Sequence, residues 1–190
     1  MIATKIKRII LAETSIFTAD IATAAGAKTV IDAAIAAAVA GTAEDVSNVH
    51  QETWQITESE ASMTAYKNEL NGSVYHRDFV AGEVTVQFTA GEYSEKFKAA
   101  VRGGETITKG GTDPDKDTVI GYKGDGAATD IVKAMFCLTQ DGYWFIYPKA
   151  DITANTAETD NSAALSVKAY PVKPSATIST EYNINSALIG

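Results

Sequence analysis

Two turn dipeptides, Asn71-Gly72 and Asp141-Gly142, each stand between runs in which polar and apolar residues alternate. A two-residue type I′ turn needs φ > 0 at both central positions, and Asn-Gly or Asp-Gly supplies it at the least steric cost. Residues 64–70 and 73–80 flank the first turn, and Lys133–Leu138 and Tyr143–Tyr147 flank the second. Alternation over such lengths is the mark of a half-buried strand. The pattern predicts two β-hairpins and a mainly antiparallel β chain with one helix.

The remaining elements are placed around these hairpins. Residues 5–12 alternate and predict a strand. The Ala-rich stretch from Thr18 to Gly41 carries Ile31, Ala34, Ile35, Ala38 and Val39 at i, i+3, i+4, i+7 and i+8, one apolar helical stripe. Thr29 is the expected N-cap and Gly41 the C′ glycine. A short strand with Trp54 and Ile56 follows, and then a half-buried strand with Val84, Val86 and Phe88 on one face. Tyr93 to Val101 predicts a short helix. The last regular strand, Ala164 to Tyr170, closes at Pro171 after a polar loop from Ala154 to Asn161, and residues 175–190 are expected to be a weakly structured tail.

Residues 102–130 break the regularity. They hold glycines at 103, 104, 110, 111, 121, 124 and 126 and the acidic group Asp113, Asp115 and Asp117. So many glycines predict either a long exposed loop or a flexible hairpin, and segments of this kind in compact domains are usually functional. The chain as a whole divides into residues 1–50 (arm and Ala-rich helix), a β core over 51–172, and a C-terminal arm over 173–190, all within one domain of 190 residues.

Composition narrows the function. The net charge of −8 argues against general affinity for nucleic acid, which needs clustered Lys and Arg, and suits a surface past which a polyanion must slide. No apolar run reaches transmembrane length, and Ile9–Ala12, closed by Glu13, is too short for the apolar part of a signal peptide. A cytoplasm-like compartment is expected, with no membrane partner. The single Cys137 has no partner for an internal disulfide. Inside an apolar strand it is expected to be a small buried hydrophobe rather than a reactive thiol.

No catalytic, cofactor-binding or metal site is expected. Asp113-x-Asp115-x-Asp117 resembles the start of a calcium loop, but Thr118 stands where that loop needs glycine and Gly124 where it needs a bidentate glutamate. A looser cation site and a solvated acidic loop tip both remain open. The glycines match neither phosphate-binding fingerprint, and His50 and His76 lack ligands at metal spacing. Tyr143, Trp144 and Tyr147 form either a sugar-stacking platform or the apolar side of a core strand, and the core is favoured because strands are rich in aromatics.

The order of elements resembles the tail tube proteins of long-tailed bacteriophages and, more distantly, the tube proteins of contractile injection systems. The resemblance is carried by Asp130 to Ala150, a hairpin ending in an aromatic strand and Pro148-Lys149-Ala150, and by the closing strand Ala164–Tyr170. The Tyr66–Phe88 region is similar to that family's N-terminal half. The resemblance implies a mainly β fold, an antiparallel β-sandwich or barrel with one or two flanking helices and a long inter-subunit loop. It implies a non-enzymatic structural subunit that closes into rings, expected to be hexameric, which stack into a hollow tube for DNA passage. It also implies assembly in the host cytoplasm, residence in the virion tail, and contact with tape measure and tail terminator proteins. The inter-ring loop is expected at Gly104, Glu105, Lys109, Asp113, Asp115, Asp117 and Lys123. A β-sandwich module for carbohydrate or surface recognition is the alternative.

Overall fold

The protein, a computed structural model, is described over residues 5–91, 93–111, 114–124, 126, 130–159 and 162–189. Strand β1 (Ile6–Ala12) is followed by helix α1 (Ala24–Val39), β2 (Glu44–Val46), β3 (Gln55–Glu58), β4 (Ser62–Lys67), β5 (Val74–Val80) and β6 (Val84–Ala90). Helix α2 (Glu95–Arg102) precedes β7 (Glu105–Thr108), β8 (Val119–Lys123), β9 (Ile131–Thr139), β10 (Tyr143–Thr159), β11 (Ser162–Pro171) and β12 (Tyr182–Asn185). The fold is mainly β, antiparallel throughout its described pairings, with two flanking helices.

One sheet holds most of the strands, in the order β2-β1-β9-β10-β11-β6-β3. Strand β10 belongs to both of its halves. Tyr143–Ile146 lie between β9 and β12, whereas Ala150–Ile152 lie between β9 and β11. The register shifts between Tyr147 and Ala150, where Pro148 cannot donate to a ladder; a bulge at such a point bends the strand. The sheet folds over on itself there. Ile9, Leu11, Met135 and Cys137 from one half share a core with Val86, Phe88, Ile152, Leu165 and Val167 from the other.

The alternate residues of β1 and β9 point the other way. Ile10, Ala12, Ala134 and Phe136 join Trp144 and Ile146 under α1, so these strands are buried on both faces. Phe136, opposite both Ile10 and Ile146, stacks on Phe17 with ring centroids 5.6 Å apart.

Several expectations need correction. The cap of helix α1 lies six residues before the expected one: Thr23, not Thr29, is the N-cap, its side chain accepting from Gly26 N at 3.1 Å. Thr29 instead donates to the Ala25 carbonyl inside the helix. Ala27, Ile31 and Ala34 form the buried stripe while Val39 is exposed; Gly41, at φ 72°, ends the helix as expected. The polar loop expected at 154–161 is strand through Thr159, paired with β11 along its length. Polar side chains do not weaken an antiparallel ladder built from backbone hydrogen bonds, so alternation alone misses such a ribbon.

The terminal arms are sheet members. Strand β1 sits between β2 and β9, and the expected weakly structured tail supplies β12, paired with Tyr143–Ile146. Tyr182 stacks on Phe17 and donates to Asp20, whose carboxylate also accepts from Ser179 N at 2.9 Å. That bonding holds the Asp20 carboxyl below its usual range.

Neither hairpin uses the expected two-residue turn. Gly72 and Gly142 have φ of 68° and 80°, but Asn71 and Asp141 do not share the left-handed region. Gly142 N donates to the Thr139 carbonyl at 3.1 Å, giving a three-residue loop with glycine in the left-handed position. At the other hairpin Gly72 N donates to Asn68 O and Asn68 N to Ser73 O, each at 2.8 Å, closing a four-residue loop.

Phe136→Ala should therefore remove a ring packed from both faces and destabilise the fold by about 3–5 kcal/mol. The shift of the urea midpoint at constant m checks it.

Candidate functional site

Two hairpins stand outside the main sheet. Among the described residues, strands β4 and β5 pair only with each other, as do β7 and β8. The glycine-rich segment is thus a hairpin rather than a structureless loop, and it leans on α2: Tyr122 Oη donates to the Gly103 carbonyl at 2.8 Å, and Lys98 Nζ lies 4.5 Å from the Tyr122 ring centroid.

The residues expected to form the inter-ring contact gather on this second hairpin. Glu105 and Lys123 pair across its base at 2.6 Å, and the ammonium holds the Glu105 carboxyl below its ordinary value. Gly104 has φ 95°, and a Cβ there would stand 2.5 Å from the Lys123 carbonyl; glycine is required. Lys109 Nζ lies 3.9 Å from Asp115 near the tip, and Asp117 is exposed beside it. Asp113 lies outside the described residues. Among the described residues no three His, Cys, Asp or Glu side chains converge as a metal site would need, and Asp115 faces an ammonium.

The β4–β5 hairpin is more exposed. Every residue of β5 is exposed, including Tyr75 at 70% and Phe79 at 69%, and Leu70 at the tip reaches 95%. Register places Met63 opposite Phe79 and Ala65 opposite Arg77, so the two-residue alternation puts Met63, Ala65, Arg77 and Phe79 on one side, while Tyr75 stands in a bulge where the register shifts. The other side carries Tyr66 against His76 and a His76–Asp78 pair at 2.6 Å. Two-stranded hairpins in water are marginal alone, and contiguous exposed apolar side chains mark an interaction surface. Sequence alternation found the hairpin but assigned its apolar side to a core that does not reach it.

Where this hairpin leaves the core the backbone is pinched. Ser59 N donates to the Glu83 carbonyl at 3.0 Å, and Glu83 N donates to Ser59 Oγ at 2.8 Å. Gly82 fits because a Cβ there would stand 1.7 Å from the Ser59 carbonyl oxygen.

The third feature is an open groove of about 1000 Å³ between the start of β1 and the 49–57 segment. Ile6, Val49, Ile56, Trp54 and Phe145 supply its apolar lining, the last two with ring centroids 6.1 Å apart. Glu52, which also lines it, has φ 64°, an uncommon conformation for a residue other than glycine.

The aromatic strand is a core strand, the reading favoured from the sequence, rather than a sugar-stacking platform. Trp144 is 4% exposed and Tyr147 1%, and they point into opposite cores; Tyr143 alone is half-buried. Successive residues of a strand buried on both faces cannot share one surface. Cys137 is buried, as expected. Burial pushes its thiol up to about 12, with the nearby Trp54 indole N–H pulling weakly the other way, so no thiolate is available for chemistry.

Compared with known protein families and with curated proteins, the chain matches none. Among the described residues no helix is long and apolar enough to cross a membrane.

Two outcomes follow from this geometry. Gly82→Ala should force the Ser59–Glu83 pinch apart and cost about 1–3 kcal/mol, read as a lowered Tm with loss of amide protection at Ser59 and Glu83. Cys137 should resist maleimide at pH 8 in the folded protein and label fully in denaturant. The folded thiol keeps a proton that an unfolded one, with an ordinary pKa of 9.0, releases. Stability should thus fall as pH rises from 9 towards 12, by at most about 1.4 kcal/mol per pH unit.

Proposed function

We propose that this chain is a structural subunit, without catalytic activity, that assembles into hexameric rings stacking into the hollow tail tube of a bacteriophage. The observation that carries the reading is the β4–β5 hairpin, an apolar two-stranded arm left exposed among the described residues. A second copy of the same chain gives it that cover. Edge strands β2 and β3, each paired on one side only, support it too, since ring closure completes ladders that an isolated sheet leaves open. The β7–β8 hairpin, with its charged tip, takes the ring-stacking contact. A head-to-tail contact that does not close generates a filament.

The net charge of −8 fits a lumen along which DNA slides. Tape measure and tail terminator proteins would be its other partners, with assembly in the host cytoplasm and residence in the virion.

Sedimentation and electron microscopy across a concentration series test the reading, with rings and then tubes expected as concentration rises. Replacing residues 62–80 by a short glycine turn is sterically simple, because Ser62 and Val80 are paired. That variant should remain a folded monomer. Replacing residues 105–123, whose ends are likewise paired, should leave rings that do not stack. A parent protein that stays monomeric throughout, or tubes formed by the variant without its β4–β5 hairpin, would overturn the assignment.

A further inference from the structure

The exposed arm and the open groove are complementary, and they belong to one sequence. We infer that the β4–β5 hairpin of one copy seats its Met63–Phe79 side in the groove lined by Ile6, Trp54 and Phe145 of the next copy. The inference rests on the assembly reading and names the contact that reading requires.

Three observations favour this occupant. Phe79, at 69% exposure, and Met63, at 53%, would bury on the order of 200 Å² between them. That is about a quarter of the roughly 800 Å² each partner contributes to a standard interface. The exposed tip at Leu70 extends the same arm, so the pair serves as the anchor of a specific contact. Charge then selects how the arm is covered. Arg77 lies within the apolar side, opposite Ala65, and Lys67 follows by alternation on the same side. Two arms meeting face to face across a two-fold axis would bring these cations together, and like charges are disfavoured there. The groove offers a carboxylate instead. Glu52, exposed and held at φ 64° in the loop before β3, stands on its rim as a partner for Arg77. Lys5, also lining the groove, has Glu69 of the arm's tip loop as its counterpart.

The third observation is the edge. Strand β3 is bonded on one side only, to β6, and its Gln55–Thr57 segment lines the groove. An arm arriving there covers an unpaired strand as well as apolar side chains. Arm into groove is a head-to-tail contact, the kind that repeats around a ring.

Two variants, each with one added cysteine, test it: Ala65→Cys, on the apolar side of the arm, and Gln55→Cys, on the exposed wall of the groove. Native Cys137 is fully buried and should not compete for reagent. The variants are mixed under assembly conditions and treated with a short bis-maleimide. Covalent dimer is expected from the mixture and at most a trace from either variant alone, with a Glu52→Arg background greatly reducing the yield and Arg77→Glu restoring it. Dimer from Ala65→Cys alone would establish arm-to-arm pairing and overturn the groove assignment. Rings in the microscope without cross-linking in the mixture would overturn the groove while leaving assembly intact. Monomer at every concentration would overturn both.

Discussion

Strand β10 is the member on which the two halves of the sheet depend. Its first residues pair with β9 and β12, and its later ones with β11 as β9 runs out. The break in register around Pro148 lets one continuous strand serve both layers. A bend there folds the sheet so that β1 and β9 are enclosed, one face by the β6–β11 half and the other by α1. Hydrophobic burial on both faces then fixes the register of these strands, since a one-residue slip would exchange the two cores. Ile9 with Leu11 and Ile10 with Ala12 leave no polar side from which to start such a slip.

The same enclosure accounts for what the middle of the sheet does not do. Trp144, Tyr147 and Cys137 carry the chemistry that might have made a site, and each is sealed in a core. Among the described residues, Tyr147 Oη and Trp54 Nε1 are buried with no hydrogen-bond partner, at a desolvation cost. Surface chemistry is thereby moved to the periphery. The two hairpins, the sheet edges and the groove are surfaces at which this chain can meet another molecule, and they offer apolar area and charge.

The hairpins differ in how they are held. The β7–β8 pair is tied to α2 through Tyr122 and closed by Glu105 with Lys123. The β4–β5 pair is held only at its root, by the Ser59–Glu83 exchange that Gly82 permits. An arm with few contacts to its own body belongs to the low-stability end of a structure, which suits an element that gains its packing from a neighbour.

Periodicity and turn chemistry alone located both hairpins, the half-buried β6, helix α2 between Ser94 and Gly103, and the buried state of Cys137. These follow from local physics: where a side chain points is set by the two-residue and 3.6-residue repeats, and glycine marks a left-handed position wherever it lies. The ribbon from Ala154 to Thr159 and strand β12 were illegible because backbone pairing, rather than side-chain pattern, holds them. Thr23 prevailed over Thr29 as cap because the helix starts where its first turn can pack Ala27. The alternation of residues 62–80 announced strands, yet whether their apolar side met a core or solvent depended on where the folded-over sheet ended. That distance in space, which no local repeat encodes, also opened the groove beside β3.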